Sequence, residues 1–300
     1  MDKALSETAS RAPGECISGW IEAAGVSLRY RLSGAVAADA ASAVLIHELG
    51  GSLASWDAVV AELDPVLRIL RFDQRGHGES EKTRTAYTLD DQVADLRGLI
   101  VAAQLPRPYW LVGAAAGAAI AVAYCARYPD EVAGIVMCAP ALDVDPKRRT
   151  YLRERAERAM RDGMRAIADA TLANSYPLVR GFDPVAQATY RARFLANDPV
   201  SYALANQALS EIDLSDALAA LRCPCLLLAG HHDIQRPVAR VALHAATLAD
   251  VEMRMIGGAH LMAVQVPTQV ARHILDFCTR RSQAAAQIAR PKTIAGQEEK

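Results

Sequence analysis

Short apolar runs alternate with helical patterns along most of the chain, and this alternation predicts an α/β fold. Six runs of five or six mostly apolar residues have the character of strands that helices cover on both faces. They are Ala43–His47, Arg68–Asp73, Tyr109–Gly113, Gly134–Cys138, Cys225–Gly230 and Val251–Met255. We therefore predict a mostly parallel, doubly wound sheet.

Two of the intervening helices carry clear start signals. Thr88 and Asp91 have the spacing of a capping box, and apolar residues then recur at helical spacing. Pro267 stands where a first-turn proline is tolerated, ahead of a second pattern with one apolar face. Both patterns indicate helices that pack one face against the sheet.

The alternation fails between residues 143 and 221, where helical patterns follow one another without a strand. A helical block inserted between two late strands is expected to lie over the strand ends as a lid. Residues 15–142 and 222–281 are then the α/β core, and residues 1–14 and 282–300 are flexible termini.

Charge and composition exclude several classes of function. The 300 residues include 33 basic and 34 acidic side chains, so no net charge attracts nucleic acid or a membrane surface. Residues 110–126 are uncharged, but the turn at Gly113–Gly117 interrupts them, so a buried strand and helix fit better than a membrane span. The first residues lack the apolar run of a secretory signal, which favours a cytoplasmic protein.

Bound cofactors and metals are not expected. The six cysteines stand mostly in apolar stretches and do not have the spacing of a zinc site. Neither G-x-G-x-x-G nor a phosphate loop occurs in the sequence, which argues against nucleotide cofactors. The partner that remains is a small-molecule substrate, and whether the chain forms a homo-oligomer is left open.

Residues that follow the predicted strands suggest a catalytic site. The segment Gly113-Ala-Ala-Ala-Gly117 lies between a strand and a helix, as a nucleophile elbow requires, with Ala115 at its centre. Asp233 follows one late strand and His260 follows the next. The order of elbow, acid and histidine is the one expected for this architecture.

From about Ile17 to Arg280 the chain resembles α/β-hydrolase-fold proteins. The resemblance rests on Asp73-Gln-Arg-Gly-His-Gly-Glu-Ser80 and on Gly258-Ala-His260. The predicted lid is most similar to that of 3-oxoadipate enol-lactone hydrolases. The segments that carry this similarity are Phe182-Asp183-Pro184, Asn197-Asp198-Pro199, Tyr202 and Asp213–Leu218.

The resemblance implies roles for individual residues. His260 would be the general base, and Asp233 would orient it. The loop after the first predicted strand would form the oxyanion site, with the backbone N–H groups of Leu49 and Ala116 as donors. The other residues assigned to this loop are Gly50 and Trp56, and for Trp56 packing beneath the loop is favoured over stacking on the substrate.

Two departures from the family pattern decide the mechanism. Ala115 has no hydroxyl group, so it cannot form an acyl-enzyme. Glu48 stands where these hydrolases usually carry glycine, and it would hold a water or donate a proton if burial raised its pKa. The alternative for Glu48 is a partly exposed carboxylate paired with a neighbouring cation.

The start of the predicted lid is basic. Between Lys147 and Arg165 there are eight Lys/Arg residues against three acids. An apolar stripe runs along this segment at a spacing of four residues, through Leu152, Ala156, Met160 and Met164. These features favour an amphipathic helix with a solvated basic face. An arginine that turned inward would instead suit a carboxylate on the substrate.

The main hypothesis is a hydrolase of lactones, esters or amides that acts without a serine nucleophile, with His260 deprotonating a water. Three alternatives remain. His260 could remove a proton from the substrate, as in a lyase, a decarboxylase or a cofactor-free oxygenase. The protein could be a non-catalytic ligand receptor. It could also be an ordinary serine hydrolase whose serine at position 115 was replaced by alanine.

Overall fold

A computed structural model describes residues 15–177, 179 and 181–289. Its core is an eight-stranded sheet with the order β1-β2-β4-β3-β5-β6-β7-β8. The strands are β1 Ile17–Ala23, β2 Val26–Gly34, β3 Ser42–Ile46, β4 Arg68–Phe72, β5 Tyr109–Ala114, β6 Val132–Cys138, β7 Cys225–Gly230 and β8 Val251–Ile256. Strand β2 is antiparallel to β1 and β4, and the other pairs are parallel. The predicted α/β class and mostly parallel sheet are confirmed.

Helices cover both faces of this sheet. They are α1 Asp57–Leu63, α2 Leu89–Ala102, α3 Ala116–Arg127, α4 Pro146–Asp162, α5 Met164–Ser175, α6 Pro184–Leu195, α7 Pro199–Ser210, α8 Ser215–Ala220, α9 Val238–Ala245, α10 Met262–Gln265 and α11 Pro267–Ala289. One buried cluster joins the sheet to α2, α3, α8 and α9, and a second joins it to α1 and α11. Two apolar layers on opposite faces make the sheet doubly wound.

The first two strands form a hairpin that the apolar runs did not predict. The buried apolar side chains of β2 include Val26, Leu28 and Tyr30, and they alternate along the strand with polar residues. Ala24 and Gly25 make the turn with φ values of 49° and 78°. Two consecutive positive φ values match the short turns that antiparallel strands require. The alternation of apolar and polar residues along β2 was therefore the sequence signal that could have predicted this strand.

The predicted start signals mark the starts of their helices. Thr88 accepts a hydrogen bond from the Asp91 backbone at 3.3 Å, and Pro267 begins α11. Helix α11 runs on to Ala289, so residues 282–289 are helical, although they were assigned to a flexible terminus. Alanine has the highest helix propensity, which explains a helix without apolar periodicity there. The predicted segments 1–14 and 290–300 lie outside the described residues.

Helices α4 to α8 lie between β6 and β7, and we call residues 143–221 the helical insertion. Three of its helices begin with an aspartate that accepts a backbone hydrogen bond and a proline at the first position. These caps are Asp145-Pro146, Asp183-Pro184 and Asp198-Pro199. The pairing of a carboxylate cap with a preset proline φ fixes where each helix starts.

The predicted apolar stripe of α4 is partly wrong. Met160 is 46% exposed, whereas Ala159 is fully buried. Steps of four residues advance a helical position by about 40° beyond a full turn, so such a stripe drifts off the buried face. Gly163, with φ 79°, then ends the helix, and Met164 belongs to α5.

Candidate active site

Ala115 occupies a strained turn between β5 and α3. Its φ is 47° and its ψ is −109°, and its side chain is buried. The turn is tight on both sides, since a Cβ atom on Gly117 would lie 2.3 Å from the carbonyl oxygen of Ile46. A Cβ on Gly113 would lie 2.5 Å from the backbone of Ala118. Glycines at these positions let the turn lift residue 115 above the sheet edge.

His260 and Asp233 meet above this turn, after β8 and β7. His260 Nδ1 lies 3.0 Å from Asp233 Oδ2, and the side chain of Asp233 has no exposed surface. Asp233 Oδ1 accepts the backbone N–H groups of Gln235 at 2.8 Å and Arg236 at 2.9 Å. Burial alone raises the pKa of Asp233, but His260 and these hydrogen bonds hold that pKa below its usual range. The carboxylate is thus fixed and charged, and it accepts the Nδ1 hydrogen.

Five of the predicted site residues line one cavity between the sheet edge and the helical insertion. They are Glu48, Leu49, Ala115, Ala116 and His260. The cavity has a volume of about 50 Å³. Ala116 is the first residue of α3, so its N–H has no acceptor within the helix.

Glu48 is buried in the wall of this cavity. Its Oε1 accepts hydrogen bonds from Ser55 Oγ at 2.7 Å and from the Tyr190 hydroxyl at 2.8 Å. Burial raises the pKa of Glu48, and these two donors and the charge of His260 offset only part of the rise. The alternative of an exposed carboxylate paired with a cation is wrong, because Glu48 is 4% exposed and its side-chain partners are neutral.

Gly50 and Trp56 do not line the cavity, contrary to their assignment as binding residues. Gly50 has φ 81°, and its carbonyl accepts a hydrogen bond from Asn197 Nδ2 at 2.9 Å. A Cβ there would approach the ring of Phe194 to 2.8 Å, so the glycine allows the insertion to pack against the loop. Trp56 is fully buried in the apolar layer beneath the loop, the arrangement that was favoured for it.

His47 has a structural role that the sequence did not reveal. Its Nδ1 donates to the carbonyl of Glu48 at 2.8 Å, and its Nε2 accepts the N–H of Gln74 at 3.0 Å. Burial lowers the pKa of His47 to about 4, so the ring is neutral in this arrangement. It ties the Glu48 loop to the turn after β4. His77 in that turn contacts the Arg75 carbonyl, as expected for a residue that organises backbone.

Two arginines of α4 point into the cavity rather than into solvent. Arg155 is 8% exposed, and Arg148 is half-buried. The cavity wall also includes Arg236, which follows Asp233, and Tyr190 from α6, neither of which sequence reasoning had singled out. The signal for Arg155 was its position three residues after the buried Leu152, which places both on one helix face.

Neither a metal-binding group nor a membrane-spanning helix is found among the residues that the structure describes. Within the described part of the chain, no three His, Cys, Asp or Glu side chains are grouped so that they could hold a metal ion. Among the same residues, none of the helices combines the length and apolar character that crossing a bilayer demands. The expectation of a reaction without cofactor or metal stays a prediction.

The sequence matches a known family and several named proteins. The model of the family described as serine aminopeptidase, S33, matches residues 38–264. A protein of Pantoea ananatis named "Putative carbamate hydrolase RutD" is 28% identical over 260 residues, covering 84% of this chain and 94% of that protein. Its namesake from Escherichia coli O127:H6 is 28% identical over 251 residues, covering 80% and 92%.

Solved structures agree with this match. The enol-lactonase of Burkholderia xenovorans LB400 superposes with a TM-score of 0.81 at 28% identity, covering 87% of this chain and 100% of its own. A thermophilic esterase of Thermogutta terrifontis superposes with a TM-score of 0.82 at 26% identity, covering 88% and 99%. The chain therefore belongs to the serine aminopeptidase S33 family and is a hydrolase of the α/β-hydrolase superfamily.

Proposed function

We propose that the protein hydrolyses a small acyl compound that carries a carboxylate, and that it does so without a serine nucleophile. The main support is the His260–Asp233 pair, which faces the same cavity as the methyl group of Ala115. An alanine cannot form an acyl-enzyme, so the nucleophile in this cavity is a water molecule.

The names of the similar proteins support the class of bond that is broken. Carbamate hydrolases, enol-lactonases and esterases all cleave a bond between an acyl carbon and an oxygen or nitrogen. The substrate is therefore an ester, lactone, amide or carbamate. A carboxylate on the substrate is supported by Arg148 and Arg155, whose guanidinium groups line the cavity.

In the reaction, His260 acts first as base and then as acid. Because Nδ1 donates its hydrogen to Asp233, Nε2 is the free base. It takes a proton from water, and the resulting hydroxide attacks the acyl carbon to give a tetrahedral intermediate. As the bond to the leaving group breaks, the imidazolium returns the proton to the leaving oxygen or nitrogen.

The negative charge of the intermediate develops on the former carbonyl oxygen. The backbone N–H groups of Leu49 and Ala116 are the proposed donors to this oxygen. Ala116 also begins α3, and the N-terminus of a helix favours negative charge. Burial raises the pKa of Glu48, which favours its protonated form, and in that form it can donate a hydrogen bond into the cavity.

The first experiment replaces the base. His260→Ala is expected to lower kcat by about 10²- to 10⁴-fold, the usual contribution of a general base. The assay uses a panel of small carboxylated lactones, esters and amides in water enriched in heavy oxygen, with mass spectrometry of the product. A matched control is His231→Asn, at an exposed histidine that follows β7, which should leave the rate unchanged.

The same experiment separates the alternatives. Product that lacks solvent oxygen would mean that His260 deprotonates the substrate, as in a lyase, decarboxylase or oxygenase. Tight ligand binding without turnover would mean a receptor. A gain of several orders of magnitude in Ala115→Ser, with fluorophosphonate labelling at that position, would mean that the natural mechanism uses a serine. Each outcome would overturn catalysis by activated water. A cytoplasmic location remains a prediction, and whether the chain forms a homo-oligomer stays open.

A further inference from the structure

Two cations in the cavity wall have no carboxylate to neutralise them. Arg148 donates to the amide oxygen of Gln235 at 2.5 Å, and Arg155 donates through two nitrogens to the amide oxygen of Asn206 at 2.8 and 2.5 Å. Within residues 15–177, 179 and 181–289, the ion pairs found include neither arginine. Both guanidinium groups are thus held in place by neutral partners.

Aromatic rings complete the support of these two side chains. Arg155 lies over the rings of Tyr151 and Tyr202 at 5.3 and 5.6 Å, and Arg148 lies 4.9 Å from the ring of Tyr151. Such stacking orients a guanidinium without cancelling its charge. The two forks are therefore fixed before any ligand arrives.

A third guanidinium in the wall has its charge balanced differently. Arg236 donates to the backbone carbonyl of Asp143 at 3.3 Å, and the carboxylates of Asp143 and Asp233 act favourably on it. Arg148 lacks such help, and burial together with repulsion from Arg155 and Arg236 lowers its pKa to about 10. It remains protonated near neutral pH. Arg148 and Arg155 therefore remain without a nearby carboxylate.

Another arginine of α4 is exposed to solvent and paired with a carboxylate. Arg153 lies between these two arginines in sequence, but it faces solvent and forms an ion pair with Glu211 at 2.8 Å. Burying a cation without a counter-charge costs several kcal/mol. A ligand that carries negative charge would explain why Arg148 and Arg155 both line one small cavity without a counter-charge.

We propose that the substrate is a dicarboxylate whose two carboxylates neutralise Arg148 and Arg155. The assignment rests on the proposed function, because it concerns the same cavity. The two forks are anchored on different residues, Gln235 and Asn206, so each can bind a carboxylate of its own. The helical insertion would then recognise the acid groups, while the loops of the sheet, with His260, act on the acyl group.

Binding of three probes to the intact protein tests this assignment near neutral pH. Succinate carries two charges, its monomethyl ester carries one, and its dimethyl ester carries none. By titration calorimetry we expect succinate to bind at least about tenfold more tightly than the monoester, which in turn binds more tightly than the diester. Arg148→Gln and Arg155→Gln should each weaken succinate binding by about ten- to a hundredfold and close most of the gap to the monoester.

The controls keep a folding defect apart from a binding defect. Arg153→Gln should leave all three affinities unchanged, and Arg155→Lys should retain part of the preference for succinate because it keeps the charge. The thermal midpoint of each variant reports its folding. Similar affinities for the three probes, or a preference that survives in Arg148→Gln, would overturn the assignment. Tighter binding of inorganic phosphate than of succinate would point to a single compact dianion and would also overturn it.

The outcome is independent of the proposed reaction. The succinate preference is measured by binding alone, without turnover. If hydrolysis fails while the succinate preference holds, only the chemistry is wrong. If hydrolysis holds without the preference, only the substrate class is wrong.

Discussion

Two groups of buried ionisable residues lie side by side at the edge of the sheet, and their hydrogen bonds differ in kind. We call His47, Asp73 and His77 the loop cluster, because their polar atoms bond mainly to backbone groups of the turns after β3 and β4. We call Glu48, His260, Arg148 and Arg155 the cavity cluster, because they bond mainly to other side chains and line the cavity. The hydrogen bonds of the loop cluster fix the path of the chain. The side chains of the cavity cluster still have polar groups that face the cavity and can bind a ligand.

The difference shows why burial and a shifted pKa do not by themselves identify a catalytic group. His47 is as deeply buried as Glu48, and the pKa of each is shifted because burial disfavours its charged form. His47, however, uses both ring nitrogens on backbone atoms of its own loops. A shifted pKa therefore occurs in both clusters, at His47 and at Glu48, and the direction of the side chain distinguishes the two residues.

The largest expected effect is loss of stability in acid through the loop cluster. Burial lowers the pKa of His47 from 6.5 to about 4, so the unfolded chain binds a proton first as the pH falls. Its contribution to stability is present above pH 6.5 and is lost toward pH 4, by about 3 kcal/mol. His77, whose pKa burial lowers to about 3, adds to this loss, whereas Asp73, whose pKa burial raises above 3.8, acts in the opposite direction.

Urea unfolding at a series of pH values measures this effect. Asparagine offers a donor and an acceptor but does not titrate, so His47→Asn should reduce the slope between pH 6.5 and 4 and leave the contribution of His77. His231→Asn, at an exposed position, is the control and should leave the slope unchanged. An unaltered slope in His47→Asn would show that this histidine is not the titrating group.

The sequence predicts those features that depend on residues close together in the chain, and it misses those that depend on long-range packing. The strands with unbroken apolar runs, the capping box at Thr88 and the chain order of Asp233 and His260 are local patterns, and they predict elements that the structure contains. In strand β2, in contrast, apolar residues alternate with arginines and serines, and this pattern resembles a surface segment. Its place depends on pairing with β4, which no local pattern encodes.

The direction in which a long side chain points is even harder to predict from neighbouring residues in the sequence. Arg153 and Arg155 are two residues apart in one helix, yet the first faces solvent and the second is buried against Asn206 of α7. Helical geometry places them on different faces, but only the packing of α4 against α7 decides which face is buried. The sequence therefore predicts an amphipathic helix, and the structure shows which arginines reach the cavity.

A smaller effect on stability is expected from replacing the ionisable carboxyl group of Glu48 in the cavity cluster. Burial raises its pKa above 4.5, so the native state holds a proton that the unfolded chain releases as the pH rises. Wild-type stability should fall across that interval, and Glu48→Gln should abolish the fall and gain about 1 kcal/mol near neutral pH. Glutamine keeps the oxygen that accepts from Ser55 and Tyr190, so the packing is preserved.

The same variant should lose activity, since an amide N–H is a weaker hydrogen-bond donor than a carboxylic acid. Thermal midpoints at several pH values, paired with kcat, would reveal a more stable and slower enzyme. Ser55→Ala is the comparison, because it removes one donor to Glu48 but keeps the carboxyl group. If Glu48→Gln were less stable at neutral pH, Glu48 would belong with the loop cluster as a structural group.

The smallest effect should come from Tyr190→Phe, which removes the hydrogen bond from the helical insertion to Glu48. This donor lowers the pKa of Glu48, so its loss should raise that pKa further and move the alkaline fall of kcat to higher pH. Stability should change by only about 1 kcal/mol. Tyr176→Phe, whose hydroxyl donates to the Asp183 carbonyl within the insertion, should leave the pH profile in place. A shift in both variants would mean that the insertion acts through its general packing, whereas a shift in Tyr190→Phe alone would show that it tunes the cavity cluster through one hydrogen bond.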